Sequence, residues 1–136
     1  MKLSYYRGLV IIGTLIFLVQ SCESNVAHNQ TQINTQDSLY QVIMDIHDEV
    51  MPLTSKIVQK KDLLEKLSSK DSLTQTKIQE LGAAEEAMWD WMYQIKAPKT
   101  LRDSINPEQL DDYLKEQLKQ IRIVKDQMLK ANDNNE

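Results

Sequence analysis

From Leu39 to Leu67 the chain repeats an apolar stripe that only a long helix can use. Apolar side chains fall at Leu39, Ile43, Ile46, Val50, Leu53, Ile57, Leu64 and Leu67, in steps of three and four. One step is doubled, where Lys60 stands in an apolar place. Such spacing returns to one helical face every two turns, whereas a strand would need alternation. Pro52 lies inside the stripe. It removes one backbone donor and crowds the preceding turn. The stripe keeps its register from Val50 to Leu53, so one kinked helix over residues 38–69 is predicted, not two. Ser38 with Gln41 reads as its capping box.

Two more stripes follow. Residues 72–96 carry Ile78, Leu81, Ala84, Met88, Trp91 and Ile95 on one face, with Ser72 and Gln75 as a capping pair. Gly82 sits in mid-helix, where it costs about 1 kcal/mol relative to Ala, and suggests close approach of a neighbouring backbone. Residues 106–131 open with Asn106, Pro107, Glu108 and Gln109: a cap, a proline at the first helical position, an acid and a box-closing amide. Leu110, Leu114, Leu118, Ile121, Val124 and Met128 form the third stripe. Asp111 with Lys115 and Asp126 with Lys130 are spaced to pair along this helix. Short polar connections, 68–72 and 99–105, make adjacent helices antiparallel. The expected fold is all-α: a three-helix antiparallel bundle with a coiled-coil-like hairpin, followed by a disordered tail at 132–136.

The N-terminal part has a different character. Lys2 and Arg7 precede an apolar run from Leu9 to Val19, then Gln20, Ser21 and Cys22. Eleven apolar residues are too few for a spanning helix, which needs about 20. They suit a signal peptide over 1–21, with Cys22, the one cysteine of the chain, as the acylated first residue of the mature protein. Gln20 departs from the small residue that a strict lipobox places there. Residues 22–37 are rich in Asn, Gln and Thr, lack periodicity and read as a flexible polar tether holding His28. Without Lys2 and Arg7 the chain has 14 basic and 20 acidic residues, a net charge of −6. That charge argues against nucleic acid as a partner. A membrane, reached through the acyl chains, and an envelope protein are the expected partners, in the envelope of a Gram-negative bacterium, outer membrane favoured.

Two stretches carry unusual chemistry: His47-Asp48-Glu49-Val50-Met51-Pro52 and Met88-Trp89-Asp90-Trp91-Met92-Tyr93. In a hairpin turning near Lys70, facing residues have numbers summing to about 140, because both helices rise about 1.5 Å per residue. His47 then lies level with Tyr93, and Val50 with Asp90. Asp45, Asp48 and Glu49 share a face, and with Asp90 they form the weak candidate set for a hard cation. Consecutive His47, Asp48 and Glu49 fan out about 100° apart, which opposes convergence. Trp91 falls on the face toward the first helix. Trp89 points away, either toward Tyr113 of the third helix or to solvent. Trp89, Tyr93 and His47 are the candidate partner-binding residues. No nucleophile–base pair, phosphate loop or cofactor turn is present, so neither catalysis nor a cofactor is expected.

On these two stretches, from His47 to Pro52 and from Ala87 to Met92, the sequence resembles a family of small Bacteroidota lipoproteins often labelled "viral A-type inclusion protein". The resemblance covers the chain from about Ser38 onward. It implies a helical domain in a Gram-negative envelope, facing the periplasm or the exterior, and carries over no catalytic residue. The sequence thus points to an envelope lipoprotein serving as a structural or interaction module. Two alternatives stand beside it: a metal- or small-ligand-binding lipoprotein using the acidic face of the first helix, and an intermolecular coiled coil.

Overall fold

The structure is a computed structural model that describes residues 23–67 and 71–133, with side chains from residue 29 onward. The signal segment 1–21, Cys22, most of the turn at 68–72 and residues 134–136 lie outside the described residues. Four helices account for nearly all of the described chain: α1 Glu23–Lys66, α2 Ser72–Gln94, α3 Pro98–Leu101 and α4 Pro107–Asn132. The described residues contain no strand, and none of their helices is long and apolar enough to cross a membrane.

The chain divides into two compact units, residues 1–35 and 36–136. In the first, residues 23–35 are helical, where a flexible tether was expected. Their polar side chains serve the helix itself: Gln30 Nε2 donates to Asn34 Oδ1 at 3.1 Å, and Thr35 Oγ1 donates to the Thr31 carbonyl at 2.9 Å. The Gln30–Asn34 pair is the kind of i,i+4 side-chain bond that stabilises a helix without any apolar stripe. The capping box expected at Ser38 therefore does not form, because α1 has already begun.

The second unit holds the core. Ile43, Val50 and Ile57 of α1 meet Leu81, Ala84, Met88 and Trp91 of α2, and Leu110, Leu114, Ile121, Val124, Met128 and Ala131 of α4. These are the predicted stripes, extended by Ala131. Leu67 and Ile78 are the exceptions: α1 ends at Lys66 and Leu67 is exposed, and Ile78 is half-buried outside the core cluster. α1 passes through Pro52 as one helix. Packing of Val50 and Ile57 on either side holds it together against the lost backbone bond.

Local signals set the other boundaries. The α2 cap is Asp71 and not Ser72: its carboxylate accepts the Thr74 amide at 2.8 Å and the Thr74 hydroxyl at 2.7 Å. A charged acceptor at the positive end of a helix outcompetes a hydroxyl, and the Thr74 amide holds the Asp71 carboxyl below its ordinary range. The Asn106–Gln109 capping box forms as predicted, with Pro107 at the first turn. Asp111 does not pair with Lys115. It accepts Gln36 Nε2 at 2.7 Å, while Lys115 reaches Asp112 at 3.5 Å. Gly82 has no backbone against it; an added Cβ would meet only Lys61 Cδ at 4.0 Å. Where α2 and α4 meet, small residues of each, Ala84 and Ala131, are buried and line one groove.

Candidate functional site

α1 and α2 run in opposite directions where they touch: Lys61 Nζ bonds Glu85 Oε2 at 2.5 Å, and His47 packs on Trp91. Their facing numbers sum close to the 140 expected from the hairpin. The sequence paired His47 with Tyr93, two residues off. The ring facing His47 is that of Trp91, with centroids 5.7 Å apart and planes inclined by 31°.

Each ring is held by its own element. Trp91 lies on the buried face of α2, 5% exposed. His47 is 12% exposed at its side chain, and its Nδ1 lies 2.8 Å from Asp48 Oδ1, itself 73% exposed. An Nδ1–H donated to that carboxylate leaves the lone pair on Nε2. His47 Nε2 and Trp91 Nε1 are buried and lack a hydrogen-bond partner in the structure. Gln117 Oε1 shares that condition. Buried polar atoms usually find partners, so an orphaned set at one level of a core calls for an explanation.

The register places Gln117 there as well. Tyr113 sits against the end of α2: its hydroxyl accepts the Lys96 amide at 2.7 Å and lies 3.4 Å from the Gln94 carbonyl. Burial pushes its ionisation above the ordinary 10.0. Gln117 is one turn beyond Tyr113 on α4, and Trp91 is one turn before Ile95 on α2. The two therefore occupy the same level.

The acidic candidates are not gathered. Asp45 accepts Gln41 Nε2 at 2.8 Å, Asp48 is taken by His47, and both oxygens of Glu49 accept Lys125 Nζ, at 2.6 and 2.7 Å. Asp90 is exposed on α2. Among the described residues no group of three or more His, Cys, Asp and Glu side chains is placed to hold a metal. Successive side chains on a helix fan out, and each carboxylate found a different neighbour.

Trp89 and Tyr93 lie one turn apart on the outside of α2, 40% and 85% exposed. Trp89 is thus on the solvent side of α2 and not in the α4 contact near Tyr113. A shallow groove of about 180 Å³ borders the contact of α2 with α4, lined by Glu80, Ala83, Ala84, Gln127, Lys130 and Ala131. It contains none of the candidate residues.

Fold and site thus define an all-helical protein whose most distinctive chemistry is one His–Trp layer inside its core and two aromatics outside it. No protein-family model matches the chain, and no curated protein or solved structure matches it either.

Proposed function

We propose that the chain is a lipid-anchored envelope protein whose three-helix antiparallel bundle is a structural or protein-interaction module without catalysis. The observation that carries this reading is the pair Trp89 and Tyr93. Both are large aromatics one turn apart, and neither is needed to fill the core. Exposed Trp and Tyr are the residue types that anchor protein interfaces, since they bury much area for little lost freedom. The apolar run before Cys22, and the resemblance to Bacteroidota lipoproteins at the His47 and Trp89 stretches, support the anchor and the setting.

Photo-crosslinking in cells from positions 89 and 93 tests the module. The expected outcome is the same envelope protein captured from both positions and lost in Trp89→Ala; no protein captured from either position defeats the reading. Acyl labelling of wild type and Cys22→Ala tests the anchor, with label expected on the wild type alone. A second reading, association between copies, is favoured by the exposed leucines Leu63, Leu67 and Leu73 at the loop end of α1 and α2. Light scattering decides it: a monomer mass removes the intermolecular coiled coil.

A further inference from the structure

The orphaned Nε2 of His47 lies on a stretch of α1 and α2 that is rich in methionine. Four of the six methionines of the chain stand within four residues of His47 or Trp91: Met44, Met51, Met88 and Met92. Met88 is fully buried in the core, and the other three pack against it. Because α1 and α2 run oppositely from the His47–Trp91 contact, one turn along both helices in the same spatial direction leads to Met51 and Met88. The half-buried Met51 accepts the hydroxyl of the buried Thr54 at its sulfur, at 3.8 Å.

We propose that His47, Met51 and Met88 form a binding site for a soft monovalent cation, Cu(I), beside the ring of Trp91. Thioethers and a neutral imidazole are the ligands such an ion prefers, whereas hard cations take oxygen. His47 is already arranged as a ligand. Its Nδ1 is turned to the Asp48 carboxylate at 2.8 Å, the outer partner that fixes a metal-binding tautomer, and its Nε2 is buried without a partner. Methionine has three rotatable bonds, so the two sulfurs reorient onto an ion without moving the helices. The indole face beside the imidazole adds cation–π attraction and keeps water away. The site goes beyond the interaction module and does not depend on it, since Trp89 and Tyr93 lie outside this layer.

The test uses the full chain carrying Cys22→Ala, so that the thiol does not compete, and Ag(I) as a probe without redox chemistry. Calorimetry is expected to show one Ag(I) per chain. The Nε2 nitrogen resonance of His47, distinct from that of His28, shifts on binding, and tryptophan emission falls. His47→Gln and the double variant Met51→Leu with Met88→Leu each lose the binding. Asp48→Asn weakens it by about tenfold or more, the usual effect of removing an outer-shell partner. Met128→Leu, a core methionine away from the layer, leaves it intact. The leucine substitutions conserve core volume, so they report on the sulfurs even where His47→Gln does not fold. An unshifted His47 Nε2, or Ag(I) bound equally well by the double leucine variant, overturns the site.

Discussion

The two ends of the 36–136 unit are held very differently. Near the 95–106 connection, polar groups tie helices together. Gln36, 2% exposed, donates to the Pro107 carbonyl at 3.1 Å and to Asp111 at 2.7 Å. Arg102 bonds Asp37 at 2.5 Å, and Tyr113 closes the end of α2. At the loop end, Leu63, Leu67 and Leu73 are 58%, 65% and 69% exposed. The cause is the length of α4. It ends at Asn132, and its cap Asp133 lies near enough to Lys60 to act on that ammonium group. Past Lys60, no other described helix covers the exposed Leu63, Leu67 and Leu73 of α1 and α2. A heptad stripe announces an apolar face, but a third helix must be present to cover it.

The largest effect should separate core from tip. Trp91→Ala is expected to cost about 3–5 kcal/mol in chemical denaturation, as truncations of buried aromatics do, while Leu73→Ala stays within about 0.5 kcal/mol. Equal losses would mean that the tip is covered in solution. Next comes the polar tie. Gln36→Ala removes two half-buried hydrogen bonds, one of them to a carboxylate, and should cost about 1–3 kcal/mol; a neutral result would show that end to be no better fastened than the other.

Gly82→Ala works in the opposite direction. The added methyl meets only the flexible Lys61 stem at 4.0 Å, so the substitution should stabilise by about 0.4–1 kcal/mol through the unfolded chain. A lower melting temperature in Gly82→Ala would reveal a close approach at that position after all. The smallest effect is alkaline. Tyr113 ionises above its ordinary 10.0 because it is buried, and Lys61 titrates above 10.5 chiefly through its bond to Glu85. Both groups hold their proton more tightly when folded. Their stabilisation is therefore complete below the unfolded values and declines as pH rises through the folded ones. Tyr113→Phe should remove part of the decline in Tm above pH 10, and an unchanged slope would count against Tyr113.

Much of the architecture was legible in the sequence because local rules and burial agree there. The stripes named Ile43, Val50, Leu81, Met88, Trp91, Leu114 and Ile121, all buried, and Asn106-Pro107 named the start of α4. The start of α1 was not legible, because residues 23–35 have no apolar period and their polar side chains bond one another or the helix backbone. The site was half legible. Counting residues across the hairpin brought the two unusual stretches to one level but gave His47 the wrong aromatic. The sum rule fixes height and not rotation, and a two-residue step along a helix turns a side chain by about 200°.

The sequence by itself determined that this chain is helical, where its core faces lie, and that a short apolar run leads to one cysteine. Those properties follow from residue spacing and type along a single strand of chain. Only the tertiary structure decided that Trp89 and Tyr93 are both outside, and that the acidic side chains disperse among Gln41, His47 and Lys125. It also decided that the imidazole of His47 is buried with one nitrogen unpartnered. Each of these depends on how far one helix is rotated against another, and that rotation is set by the packing of all the facing side chains together.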